Sequence, residues 1–128
     1  MKLLLDTHTL IWISLDPGRI NPQTLSTMKD PMNEIYFSAV STWEMAIKIR
    51  IGKMEVPGGL ALFVAKALEE IAASPLSVTL AHTLLLESLP LHHSDPFDRL
   101  LVSQCLFENM PIISIDAKLD AYGVTRIW

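Results

Sequence analysis

Short apolar runs alternate with longer amphipathic stretches along the whole chain. Residues 2–5 (KLLL) form a brief apolar run and predict a strand. Residues 8–15 predict a short helix. Asn21 and Pro22 open a second helix, with proline in the first turn, where its missing N–H is not needed. Residues 35–38 (IYFS) predict a strand, and residues 42–51 (TWEMAIKIRI) a helix closed by Gly52. Gly58 and Gly59 break the chain, and the next helix runs over 60–72. Residues 76–79 predict a weak strand and 81–88 a short helix. Pro96 starts a helix over 96–108. Residues 111–115 (PIISI) predict a buried strand, 117–121 a helical turn, and 124–127 (VTRI) a last strand.

Strands separated by helices imply a parallel sheet with helices on both faces and right-handed crossovers. With 128 residues and no repeat, low-complexity tract or long linker, the expectation is one α/β domain over 1–128. In such sheets, sites form beyond the carboxyl ends of the strands.

Four carboxylates occupy related places in this pattern. Asp6 directly follows KLLL, and Asp116 directly follows PIISI. Glu44 lies one turn into the helix after IYFS, and Asp98 one turn into the helix that Pro96 opens. In a parallel sheet the strand ends share one edge, so four acids far apart in sequence converge there. Each acid alone has a structural reading. Ser41–Glu44 has the spacing of a capping box, Asp95 reads as an N-cap with Asp98 at the third helical position, and Asp6 and Asp116 could also cap helices. Helix dipoles favour acids at these places too. Caps have no need to share an edge, however, and clustered carboxylates repel unless a cation neutralises them. Oxygen donors without a Cys or His cluster suit Mg²⁺ or Mn²⁺ rather than zinc, and such sites usually meet a phosphate.

The stretches LLLDTHTLIW, SAVSTWEMAIKIRIGKM, LHHSDPFDRLLVSQC and PIISIDAKLDAYGV resemble the PIN-domain family and, within it, the VapC-type toxins of bacterial toxin–antitoxin pairs. They span nearly the whole chain in order. The resemblance implies a three-layer α/β/α sandwich with a central parallel sheet. It implies a Mg²⁺- or Mn²⁺-dependent ribonuclease, often a homodimer, inhibited by a cognate antitoxin protein. It maps the family's acidic cluster onto Asp6, Glu44, Asp98 and Asp116, and its small hydroxyl residue onto Ser114. Asp95 is additional to that cluster and is read as the helix cap.

Charge and composition narrow the reading. A formal net charge of −4 argues against bulk coating of nucleic acid, leaving a grip through metal and a local basic patch. Lys48, Arg50, Lys53 and Arg99 are the candidates for RNA contact. Lys48 has an equally good reading as an i,i+4 partner of Glu44, and Arg99 as the partner of an acid. His92 and His93 are adjacent, so their side chains are expected to point apart and not to act as paired ligands; they are expected at the surface or supporting the ligands from behind. His8 is expected to pack on Trp12 at i+4.

Half the residues are hydrophobic, which excludes a disordered chain. The apolar excess concentrates in residues 60–72 and along residues 42–51. The first of these helices is expected to be covered on more than one side. Met45 and Ile49 are expected to extend a partner surface beside a Trp43–Ile47–Ile51 stripe. The single cysteine, Cys105, reads as a buried thiol. No run suggests a signal segment or membrane span, so a cytoplasmic protein is expected.

Two alternatives come from other classes. A phosphatase that forms an aspartyl-phosphate commonly has a second acid two residues after the first, and here that position is His8. A non-catalytic interaction module of the same fold would have no need for the intact acids. Metal-dependent cleavage of RNA separates both from the main reading.

Overall fold

The computed structural model describes all residues, Met1–Trp128. Five strands, β1 (Lys2–Leu5), β2 (Glu34–Ser38), β3 (Ser74–Leu76), β4 (Ile112–Ile113) and β5 (Arg126–Ile127), form one sheet in the order β3-β2-β1-β4-β5. Every neighbouring pair is parallel. β1 is central, and Leu5 is in register with Phe37 on one side and Ile113 on the other. The helices are α1 (Thr7–Leu15), α2 (Pro22–Lys29), α3 (Ala39–Arg50), α4 (Leu60–Glu70), α5 (Leu80–Leu85) and α6 (Pro96–Glu108).

Alternation along β1 divides the core between two faces. Leu3 and Leu5 pack with Leu10 of α1, Met28 of α2, Met45 of α3 and Phe63 of α4. Leu4 packs on the other face with Leu101, Val102 and Cys105 of α6 and with Leu119. Helices on both faces of one parallel sheet make the expected α/β sandwich. Burial pushes the Cys105 thiol up to about 12, so it stays a neutral packing group. No helix is long and apolar enough to cross a membrane.

Several boundaries differ from the sequence expectation. β3 lies at 74–76 rather than 76–79, and its Pro75 is tolerated because β3 is an edge strand. β4 is only two residues long, because after Ser114 the chain turns into the bend that carries Asp116. The helix expected over 81–88 tightens into a 3-10 turn at Leu86–Ser88.

The larger differences concern helix phase. α3 begins at Ala39, with the Ser38 hydroxyl accepting the Val40 N–H, so Ser41 is not its cap and no Ser41–Glu44 capping box forms. The early start turns Val40, Ser41, Glu44 and Met45 inward. Met45 is fully buried and does not extend a surface, whereas Trp43, Ile47 and Ile51 are exposed. α4 likewise buries one face, through Phe63 and Ala67, and leaves Leu62 exposed, so it is not covered on several sides.

Candidate active site

At the carboxyl edge of the sheet, hydrogen bonds and close polar contacts, some local and some from distant segments, hold the acids. Asp6 leaves β1 in extended conformation and caps α1. Its Oδ1 accepts from the Thr9 N–H at 2.8 Å and the Thr9 hydroxyl at 2.6 Å. Thr9 also reaches the Ile113 carbonyl at 3.2 Å, which ties the start of α1 to the end of β4. Asp6 is 7% exposed, and Oδ2 has no partner within the protein. Glu44 sits in the second turn of α3 on its inward face. The Thr7 hydroxyl donates to Oε1 at 2.8 Å and lies 2.9 Å from the Ser41 hydroxyl. Lys48 Nζ stands 2.6 Å from Oε2.

Asp95 caps α6, accepting from the N–H groups of Phe97 at 2.8 Å and Asp98 at 3.4 Å. Asp98 is thereby placed in the first turn. Asp116 accepts the Lys118 N–H at 3.0 Å through Oδ1, and its own N–H donates to the Ser114 hydroxyl at 3.0 Å. Oδ2 faces the ring of His93. His93 Nε2 lies 3.0 Å from Asp116 Oδ2 and 3.1 Å from Asp98 Oδ2. Its Nδ1 accepts the Asp95 N–H at 3.1 Å, leaving Nε2 as the protonated nitrogen.

The loop holding His93 is anchored from below. The N–H groups of His92 and His93 both donate to the Tyr122 hydroxyl, at 3.1 and 2.8 Å. Arg99 donates to the same hydroxyl and to the carbonyls of Leu89 and Pro90. The guanidinium therefore fastens this loop, and it does not pair with an acid as the sequence allowed. Of the other candidate cations, Lys48 is engaged with Glu44, while Arg50 and Lys53 are exposed at the end of α3.

The electrostatics follow from this packing. Burial is the main force raising Asp98 to about 7, and the neighbouring charges of Asp95, Glu44 and Asp6 add to it, while His93 works against it. Burial also pushes Asp116 up, but the Lys118 N–H and His93 outweigh it and hold that carboxyl below the usual range. Donor atoms from His93, Asp98 and Asp116 all lie within 4.8 Å of one another, close enough to hold one metal ion. Asp6 and Glu44 stand outside that trio, yet their charges reach Asp98. The oxygen-rich set suits a hard divalent cation, whose charge would relieve the mutual repulsion.

Three further groups position the acids. Thr7 and Thr9 were visible only as hydroxyls beside Asp6. His93 takes the supporting place behind the acids that its sequence position allows, and it does so without His92. Its place two residues before the Asp95 cap was the available signal, since a loop entering a helix at the site must pass close to it.

A parallel α/β sheet that gathers acidic side chains at its carboxyl edge defines a class of small acidic-site domains. The model of the PIN domain family matches residues 3–124, and the chain belongs to that family. It is 41% identical over 61 residues to Ribonuclease VapC16 of Mycobacterium tuberculosis, a match covering 48% of this chain and 43% of that protein. The aligned part is thus less than half of that relative's length. Among solved structures, VapBC2 from Rickettsia felis bound to a DNA fragment from their promoter superposes with a TM-score of 0.74 at 13% identity, covering 99% of this chain and 98% of that one. VapBC-1 from nontypeable Haemophilus influenzae gives a TM-score of 0.66 at 14% identity, covering 99% and 97%. At these identities the likeness concerns the fold.

Proposed function

We propose that this chain is a divalent-metal-dependent endoribonuclease and the toxin of a toxin–antitoxin pair. The observation that carries the reading is the meeting of Asp98, Asp116 and His93 at one point, within the field of Asp6 and Glu44. Membership of the PIN family and the identity to a ribonuclease over part of the chain support the choice of substrate.

In this reading Asp6, Asp98 and Asp116 hold Mg²⁺ or Mn²⁺, and Glu44 joins them when Lys48 moves aside. When bound, the ion supplies charge stabilisation at the scissile phosphate and a nucleophile from water. The chain's own residues prepare the ground. Thr9 and Thr7 fix the Asp6 and Glu44 carboxylates, and Asp95 and Ser114 shape the turns that present Asp98 and Asp116. His93 holds a proton between two acids that would otherwise repel. Arg50 and Lys53 supply basic contacts for the RNA backbone, and Lys48 does so once released from Glu44.

The working form in this reading is a cytoplasmic homodimer bound by its antitoxin. The exposed Trp43, Ile47 and Ile51 provide the apolar surface for association. The test is cleavage of RNA by the purified chain with Mg²⁺ or Mn²⁺. Cleavage that stops on chelation, and that Asp98→Ala abolishes, supports the proposal. Cleavage that survives chelation overturns it.

A further inference from the structure

Beside the acids, the start of α1 carries a second chemical feature. His8 is two residues beyond Asp6, and Trp12 follows one turn later, with ring centroids 5.8 Å apart. The guanidinium of Arg19 lies over the Trp12 ring at 4.4 Å. Trp128, which follows β5 at the same sheet edge as Asp6 and Asp116, meets Trp12 edge-on at 5.9 Å. His8 and Arg19 are exposed, and the two indoles are half-buried. Ring and cation therefore form a ladder that starts two residues beyond Asp6, runs along α1 and ends at Arg19 in the turn that follows it.

Arg19 differs from Arg99 and Arg126, which the fold ties down. Arg99 is spent on two carbonyls and a tyrosine hydroxyl, and Arg126 on Asp120. The Arg19 guanidinium makes no hydrogen bond or ion pair within the protein; its place over the Trp12 ring holds it. Its planar fork of donors remains open to solvent, and such a fork suits a phosphate. The exposed imidazole face of His8 offers a surface on which a base can stack. This chain carries a net negative charge and an acidic centre, so a nucleic acid reaching that centre needs local help of this kind.

We infer that His8, Trp12 and Arg19 form a substrate-positioning site that stacks an unpaired RNA base and clamps a phosphate adjoining the one cleaved. The inference rests on the ribonuclease reading above. Stacking requires a base free of a duplex, so the site takes single-stranded RNA. Trp128 supports the Trp12 ring from behind and makes no contact with the strand.

The test measures binding separately from cleavage. In EDTA, anisotropy of a fluorescein-labelled single-stranded RNA gives affinity without turnover. His8→Ala and Arg19→Ala, both at exposed positions, are expected to weaken binding about tenfold each, as loss of one stacked base does. Arg19→Lys keeps the charge and loses the planar stack, so it stays weakened. The same RNA annealed to its complement is expected to bind no differently to wild type and the His8→Ala variant. With Mn²⁺ present, KM rises in the two alanine variants by a similar factor and kcat stays within about twofold. Affinity and KM unchanged in both variants would overturn the site, as would full rescue by Arg19→Lys or failure of the wild type to bind single-stranded RNA. Binding that depends on His8 and Arg19, without any metal-dependent cleavage, would keep the site and overturn the ribonuclease reading. Cleavage with KM indifferent to both variants would do the reverse.

Discussion

His93 Nε2 stands 3.0 Å from the Oδ2 of Asp116, a residue 23 positions later in the chain. The same nitrogen lies 3.1 Å from Asp98, so one proton serves two carboxylates that belong to different elements. A divalent ion binding these acids competes with that proton. Mn²⁺ is therefore expected to raise the melting temperature of the wild type, by the equivalent of about 2.7 kcal/mol at a hundredfold excess over Kd. Scanning calorimetry with and without Mn²⁺ checks this. The gain should shrink to near zero in Asp116→Asn. An equal gain in both proteins would place the ion elsewhere.

Asp98 ties charge to stability. Its carboxyl is raised to about 7 by burial and by neighbouring acids, so the folded chain holds a proton that the unfolded chain releases near 4. Folded-state proton binding exceeds that of the unfolded state between these values, and stability from this group is lost as pH rises through about 7. Asp98→Asn removes that loss. In EDTA at pH 8 it is expected to stabilise the fold by on the order of 2 kcal/mol, and by less at pH 5. Urea unfolding at the two pH values measures the difference. An asparagine variant less stable at pH 8 would show that the carboxylate earns its place without metal.

Asp6 has two roles that different substitutions separate. Asp6→Asn retains Oδ1 as acceptor for both Thr9 donors and so keeps the cap on α1. It is expected to abolish RNA cleavage with little change in stability. Asp6→Ala also removes the cap and is expected to cost about 1 kcal/mol more. Denaturant midpoints and a cleavage assay on the pair decide the matter. A wild-type cleavage rate in the asparagine variant would take Asp6 out of the mechanism.

Ile47 of α3 and Ile51, the residue that ends it, lie on one exposed stripe one turn apart, with Trp43 meeting Phe97 edge-on at the other end. Ile47→Glu introduces a charge on this surface without touching the core. Sedimentation at micromolar concentration is expected to show a dimer for the wild type and a monomer for Ile47→Glu, with the same melting temperature after correction for association. A monomeric wild type would remove this stripe from self-association.

Local signals in the chain were informative over about one helical turn. The Asp95–Pro96 pair announces the start of α6, and the cap is found there. Lys48 lies one turn after Glu44, and the two meet at 2.6 Å. His8 and Trp12 meet for the same reason. An acid after an apolar strand, Asp6 directly behind β1 and Asp116 three residues beyond the end of β4, also announces its place, because in a parallel sheet every strand ends on the same side.

Relations across longer separations depended on packing. Residues 42–51 carry two apolar sets, and either could have faced the core. The Ser38 cap and the burial of Glu44 against Thr7 chose the set containing Met45 and left Trp43, Ile47 and Ile51 outside. His93 reaches Asp98 and Asp116 only because the Tyr122 hydroxyl, 29 residues away, holds its loop, and Arg99 is occupied there rather than at an acid. The sequence by itself determined the strands, the shared edge and the acids upon it, since apolar period and strand direction are local properties. The tertiary structure alone decided which helix face turned inward and which histidine joined the acids, because hydrogen bonds between distant segments form only after the chain has closed on its core.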